Sequence, residues 1–266
     1  MLKITSRDNQ RLKYARKVRD GDVKDFIFVE GARLAEEVLR SNRKISDVLY
    51  TENFAETERG RAFLKQSQNL DCAEVSPNIF ASLADTKTSQ GVIVICEKPK
   101  TGKQFIETIL LSGTKLPLVI ALHRVNNPAN LGAILRTAEA AGVAGVIMTA
   151  NSADAFSPKA LRGAMGASLR LALWTDADFF EVTEWAKEKD LTSVCADVKA
   201  KKSYLEIDWK TPRLLVFGSE AHGLSAEEKE KIDENLLIPM ENGVESLNLA
   251  VACGVILFEA KRQISK

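Results

Sequence analysis

Side chains able to position and stabilise a reacting polar group fall in three stretches of this 266-residue chain. In Ile238-Pro-Met-Glu-Asn-Gly-Val-Glu-Ser-Leu-Asn-Leu-Ala-Val-Ala252, an apolar strand end, a tight loop and a Ser-Leu-Asn helix entry stand side by side, as in a binding site. A second stretch, Asn130-Leu-Gly-Ala-Ile-Leu-Arg-Thr-Ala138, opens an apolar-striped helix that carries Arg136. Asn130 there suits a helix cap or a loop organiser, and an ordinary helix start explains it as well. The third is Leu214-Leu-Val-Phe217 running into Gly218-Ser-Glu-Ala-His-Gly223, a strand followed by a loop with two glycines. Glycine permits close approach of backbone to a ligand and equally an ordinary tight turn. The spacing of Gly218 and Gly223 fits neither a Walker A loop nor GxGxxG, so this loop is not read as a phosphate cradle.

Alternating strands and helices must hold these stretches. From residue 116 onward the pattern predicts strand 116–122, helix 130–141, strand 143–148, helix 157–166, strand 170–173, helix 177–188, strands 191–196 and 213–217, helix 225–232, strand 235–238 and a last helix from about Leu247. These strands are apolar throughout rather than alternating, as in a parallel sheet covered on both faces. Before them the pattern predicts a basic helix within 1–24, strand 26–29, helix 31–39, strand 45–50, helix 57–68, an extended piece 72–75, a short helix 77–84 and strand 91–96. The breakers and charges of Glu97-Lys-Pro-Lys-Thr-Gly-Lys103 mark a connection. The expected division is a first domain over 1–97, a linker over 98–115 and a second domain over 116–266.

Composition narrows the class. The chain is 45% hydrophobic and 27% charged, a globular balance with material for about two domains. No apolar run approaches the roughly 20 residues of a membrane span, and the amino-terminal stretch is too charged for a secretory signal, so a cytoplasmic protein is expected. Cys72, Cys96, Cys195 and Cys253 form no CxxC pair, and neither His123 nor His222 lies beside a cysteine. Buried thiols are therefore expected, and neither a disulfide framework nor a metal site. The net charge of +1 argues against binding nucleic acid by bulk charge. Residues 1–24 nevertheless carry eight basic against three acidic side chains, an excess that suits phosphate contact or simply a solvated helix face.

In their order and content the three stretches resemble the motifs of the SpoU (TrmH-type) RNA 2′-O-ribose methyltransferases of the SPOUT superfamily. The resemblance implies an α/β fold whose carboxyl-terminal methyltransferase domain is knotted as a trefoil around S-adenosylmethionine. It also implies a homodimer. On the matching positions it implies active-site roles for Asn130, Arg136, Glu220, Ser246 and Asn248, and cofactor contacts for Gly218, Ile238, Met240 and Leu247. One departure is visible: Glu241 and Asn242 precede Gly243, where the family pattern has a glycine nearer Met240. His222 is read as a loop histidine and not as a base. Around Phe26-Ile-Phe-Val-Glu-Gly-Ala-Arg33 the chain resembles the smaller ribosomal-protein-like α/β domain that binds RNA in such enzymes. Asn9, Lys13 and Arg33 are the RNA-contact candidates there. For Arg162 the resemblance suggests a hold on substrate phosphate, with a surface salt bridge as the alternative.

Methylating a ribose 2′-hydroxyl requires in-line attack of oxygen on a sulfonium methyl and stabilisation of the charge that emerges on that oxygen. A guanidinium is a poor general base, so Arg136 is read as stabilising the alkoxide while Asn130, Ser246 and Asn248 fix geometry. The 2′-hydroxyl makes the expected substrate RNA, ribosomal RNA ahead of transfer RNA. Two rival readings are a non-catalytic RNA-binding or ribosome-associated protein, and a nucleotide-dependent oxidoreductase. The second predicts a glycine-rich turn after an early strand, which this sequence lacks.

Overall fold

The structure, a computed structural model, describes residues 2–41, 43–113 and 116–265. Thr114 and Lys115, the end of the expected linker, and Met1 and Lys266, the outer ends of the expected domains, lie outside the described residues. The chain forms two units. One runs up to Pro99 and takes in Ala155–Arg170; the other holds Lys100–Asp154 and everything from Leu171 onward.

The first unit contains β1 (Leu2–Ile4), α1 (Gln10–Arg19), β2 (Phe26–Glu30), α2 (Ala32–Arg40), β3 (Ile45–Tyr50), α3 (Glu52–Glu56), α4 (Glu58–Gln66), β4 (Cys72–Val75), α5 (Pro77–Leu83) and β5 (Val92–Glu97). Its sheet has the order β1-β4-β3-β5-β2, with β5 antiparallel to both neighbours. Leu12, Ala15 and Val18 of α1 pack with Ile79, Phe80 and Leu83 of α5 against Leu49, Ile93 and Ile95. The sequence pattern places only a basic helix ahead of Phe26. The structure adds β1, which pairs with β4 from Leu2↔Ala73 to Ile4↔Val75 and buries Ile4.

The second unit contains α6 (Lys103–Leu111), β6 (Leu116–Leu122), α7 (Pro128–Ala141) and β7 (Val143–Thr149). After the excursion of α8 (Pro158–Ala164) and α9 (Ala167–Arg170) into the first unit, it resumes with β8 (Leu173–Ala177), α10 (Phe179–Glu188), β9 (Thr192–Ala196), β10 (Arg213–Phe217), α11 (Ala226–Lys229), β11 (Glu234–Leu236) and α12 (Leu249–Ile264). Its sheet, six-stranded among the described residues, is parallel throughout in the order β11-β9-β10-β6-β7-β8. Both faces are covered, which is why the strands read as unbroken apolar runs. Val119, Ala121, Leu214 and Val216 pack with Ile106 of α6 and Val182, Trp185 and Ala186 of α10. The alternate residues Leu118, Ile120 and Leu215 are also buried, on the side where α12 meets β6 and α7 meets β7.

Two local differences from the sequence pattern have clear causes. The predicted strand 170–173 begins only at Leu173, because Met165 and Gly166 both take left-handed backbone, ending α8 and restarting the chain as the short α9. Within 98–115, read above as a connection, Lys103–Leu111 is helical, since Ile106 faces the sheet and is fully buried. Gly145 leaves room for it: a Cβ there would lie 2.7 Å from the Ile106 side chain. Ile106→Ala should therefore destabilise the second unit by about 2–5 kcal/mol, the usual range for truncating a buried isoleucine. Denaturant unfolding followed by tryptophan fluorescence measures it, and Trp174 and Trp185 in the same core supply the signal.

Candidate active site

In a parallel sheet every strand ends on the same edge, so the loops after β6, β10 and β11 leave the second unit together. The chain order also reverses between β6 and β10: from β6 it proceeds outward to β7 and β8, then returns to the other side for β9, β10 and β11. At this switch His123 N donates to Phe217 O at 2.8 Å, tying the first two loops at their roots. All three motif stretches are thus brought to one place by topology.

Their polar side chains meet in a directional chain. Asn248 caps α12: its Oδ1 accepts from Ala250 N at 3.0 Å and Val251 N at 3.4 Å. That bond turns its amide outward, and Nδ2 donates to Asn130 Oδ1 at 3.1 Å. Asn130 then has only its own Nδ2 left to give, and it donates to Glu220 Oε1. An ionised carboxylate accepts and never donates, so the chain ends there. The expected capping role of Asn130 belongs instead to Asn127, whose Oδ1 accepts from Ala129 N at 3.0 Å. Pro128 pre-sets the first helical turn, and Asn130, the third residue of that turn, has its amide available to Glu220 and Asn248.

Beside this chain, at the carboxyl ends of β9, β10 and β11, lies a cleft of about 130 Å³ whose lining includes Ile238, Met240, Leu247 and Ser246. The expected cofactor residues other than Gly218 thus share one wall. Sequence reasoning did not single out Asp197, Phe217 and Leu249, which line it too. The signal for Asp197 is its position immediately after a parallel strand, where ligands of such sheets bind. Burial pushes the Asp197 carboxyl up, but the Lys229 ammonium, the Lys199 backbone N–H and the charges of both lysines outweigh it. The group is held below the usual carboxylate range.

Gly218 has a different and stricter cause. A Cβ there would come within 2.3 Å of the Gly223 carbonyl carbon, because Ser219 and Gly223 exchange backbone hydrogen bonds of 3.2 and 2.9 Å that fold the loop back. His222, between them, is exposed, and among the described residues only its backbone N–H is engaged, with Ser219 Oγ. The displaced glycine also has a backbone explanation. Asn242 and Gly243 have φ of 56° and 70°, and Val244 N donates to Glu241 O at 3.2 Å, a turn with both central residues left-handed.

Arg136 is exposed on α7, and among the described residues it has neither an ion-pair nor a hydrogen-bond partner. Ser246 is exposed at the rim of the cleft. Of the RNA candidates, Asn9 caps α1 by accepting from Arg11 N at 2.9 Å, and Lys13 pairs with Asp8 at 3.4 Å. Arg162 pairs with Asp85 at 2.6 Å, the salt bridge raised as the alternative. Arg33 and Arg162 nevertheless line one cavity of the first unit. Cys96, Cys195 and Cys253 are buried, and burial pushes each thiol up to about 12.

The chain matches the family model described as SpoU rRNA Methylase family over residues 117–258, and that described as MRM3-like substrate binding domain over 9–94. It is similar to an uncharacterized tRNA/rRNA methyltransferase of Synechocystis, 32% identical over 263 residues that cover 98% of this chain and 93% of the relative. It is also similar to the 23S rRNA (guanosine(2553)-2′-O)-methyltransferase RlmP of Bacillus subtilis, 27% identical over 98% of this chain and 100% of the relative. Among solved structures, an AdoMet-bound rRNA methyltransferase from Sinorhizobium meliloti matches with a TM-score of 0.79 at 26% identity, over 98% of this chain and 97% of that one.

The directional chain separates two roles of Asn248. Asn248→Asp keeps an acceptor for the amides of α12, and Asn and Asp cap equally well, so stability should hold. The new carboxylate cannot donate to Asn130, whose amide must flip and lose Glu220. Asn248→Ala should cost about 1 kcal/mol through the lost cap. Denaturant unfolding, with the side-chain amide resonances of Asn130 followed by NMR, distinguishes these outcomes.

Proposed function

The chain belongs to the SpoU rRNA methylase family, and from this membership and the geometry of the site we propose that it methylates a ribose 2′-hydroxyl of ribosomal RNA with S-adenosylmethionine as donor. The observation that carries the reading is the Glu220–Asn130–Asn248 chain set against an apolar cleft at the strand ends. The cleft suits this donor. Its one charged lining residue among those described is Asp197, so it favours a cationic, phosphate-free ligand and disfavours the pyrophosphate of a dinucleotide. Ile238, Met240 and Leu247 would hold the cofactor, with the backbone at Gly218 alongside. When bound, it supplies an electrophilic methyl group on a sulfonium sulfur.

The remaining work falls to the chain's own residues. Arg136, exposed and without an ion-pair partner among the described residues, is free to meet an anionic oxygen, and it stabilises the negative charge that grows on the ribose oxygen as the hydroxyl proton passes to solvent and the sulfonium–methyl bond breaks. Asn130 and Asn248, oriented by each other and by the cap of α12, fix the position of Glu220 and of the ribose. Ser246 orients the ribose from the rim of the cleft. Ribosomal RNA is favoured over transfer RNA because the full-length Bacillus subtilis relative is named for 23S rRNA. The first unit, with the match over 9–94, is read as the RNA-binding domain.

A homodimer belongs to the same reading. Val251 and Phe258 stand seven residues apart on one face of α12, each about half exposed, an apolar face that a second copy would cover. The knotted threading of the carboxyl-terminal segment belongs to the family reading, and the cytoplasmic location is proposed from the charged amino-terminal stretch; among the described residues no helix is long and apolar enough to cross a membrane.

Purified protein, ribosomal RNA lacking the modification and radiolabelled S-adenosylmethionine provide the test. Arg136→Ala should lower methyl transfer by about a hundredfold or more, the scale of losing one oxyanion-stabilising donor, with cofactor affinity in calorimetry unchanged. Arg136→Lys keeps the charge but loses the planar fork, and should be partly active with an altered pH–rate profile. Full activity of Arg136→Lys with an unchanged profile contradicts the assigned role.

A further inference from the structure

A cavity of about 380 Å³ in the first unit gathers three guanidinium groups, from Arg33 of α2, Arg59 of α4 and Arg162 of α8. Their partners differ in a telling way. Arg59 is spent in a two-pronged pair with Glu36, at 2.6 and 2.8 Å. Arg162 gives one nitrogen to Asp85 at 2.6 Å, while its NH1 is buried with no hydrogen-bond partner. Arg33 is exposed and, among the described residues, its side chain makes no hydrogen bond or contact ion pair, its charge reaching Glu36 only at a distance. The acid that lines this cavity, Glu30, is itself buried and occupied: it accepts from the backbone N–H groups of Asp85 and Thr86 at 2.8 and 3.2 Å and from the Thr86 hydroxyl. Glu30 therefore pins the loop and is not spent on the guanidinium groups, of which Arg59 and Arg162 have carboxylate partners and Arg33 has none in contact.

Apolar surface completes the cavity. Leu34 and Met165 line it beside the arginines. Gln90 accepts from Ala32 N at 2.9 Å through Oε1, which leaves its amide N–H groups to donate to a ligand edge. Donors for an anion next to two apolar side chains and an amide match the parts of a single nucleotide: a phosphodiester, a base face and a base edge. Resting on the reading of the chain as an RNA methyltransferase, we infer that this cavity seats one unstacked nucleotide of the substrate RNA, its phosphodiester held by the exposed guanidinium of Arg33, with the charge of Arg162 alongside, and its base against Leu34 and Met165. Arg162 and Met165 fall in sequence within the span matched by the methylase family model, yet they pack in the first unit. The nucleotide seat is thus built from both of the family-matched regions.

Two substitutions test this without breaking an existing bond. Arg33→Ala orphans no partner. Thr88 is exposed at the cavity, and among the described residues it makes no hydrogen bond, so Thr88→Glu sets a carboxylate beside the expected phosphate without disturbing the fold. Binding of the full-length chain to an unmodified ribosomal RNA transcript is measured over a salt series, with S-adenosylmethionine affinity measured separately by calorimetry. Each variant should bind the transcript about tenfold more weakly, and for Arg33→Ala the slope of log affinity against log salt should fall by about one, as for one lost phosphate contact. Cofactor affinity should not move. Wild-type RNA affinity and salt slope in both variants would overturn the seat. Failure of the wild-type chain to bind S-adenosylmethionine would instead overturn the methyl-transfer reading and leave the RNA result to stand by itself.

Discussion

Asn248 is held to two tasks that only one orientation of its amide satisfies. Its oxygen must face the backbone N–H groups of Ala250 and Val251, or α12 begins with unsatisfied donors. Its nitrogen must then point outward, and Asn130 is placed to receive it. From that constraint the rest of the site is determined in sequence: the Asn130 amide is oriented by Asn248, and Glu220 by Asn130. A side-chain amide in solution gains nothing from one orientation over the other. Here a helix cap supplies the preference, and two hydrogen bonds carry it to a carboxylate on a different loop.

The sheet makes such a chain possible. α12 packs on α7, so the starts of the two helices, where Asn248 and Asn130 lie, come to the same end of the second unit. That end is also the edge at which β9, β10 and β11 release their loops. Gly218 lets the loop after β10 fold onto itself without a side chain in the way, and the left-handed pair Asn242 and Gly243 turns the chain between β11 and α12. Polar orienting groups and the apolar cleft are consequently neighbours, and the proposed function assigns the ribose to the first and the cofactor to the second.

Much of this was legible in the sequence, and the limits have physical causes. The strands of the second unit declared a parallel, doubly covered sheet because each of their faces is buried, and the three motifs stood at strand–loop–helix junctions. The cap was displaced by three residues because Asn127 is as good a capping residue as Asn130, and only the backbone shows that Pro128 begins the helix. β1 escaped notice because three residues with one buried side chain carry no period. The excursion of Ala155–Arg170 into the first unit was invisible for a deeper reason: local pattern predicts helices, and α8 is one, but it cannot say which sheet a helix will join. The pairing of Arg33 with Arg162 around one cavity follows from that excursion, and spacing along the chain could not have revealed it.

The central claim is that this site places a methyl group on a ribose oxygen of ribosomal RNA. Its most direct test is a nucleotide-resolution map of 2′-O-methylation in ribosomal RNA from cells with and without the gene, the latter complemented by the wild-type chain. The account predicts a ribose methyl signal that vanishes with the gene and returns on complementation. Identical maps from cells shown to express the protein and from cells that lack it would contradict the account.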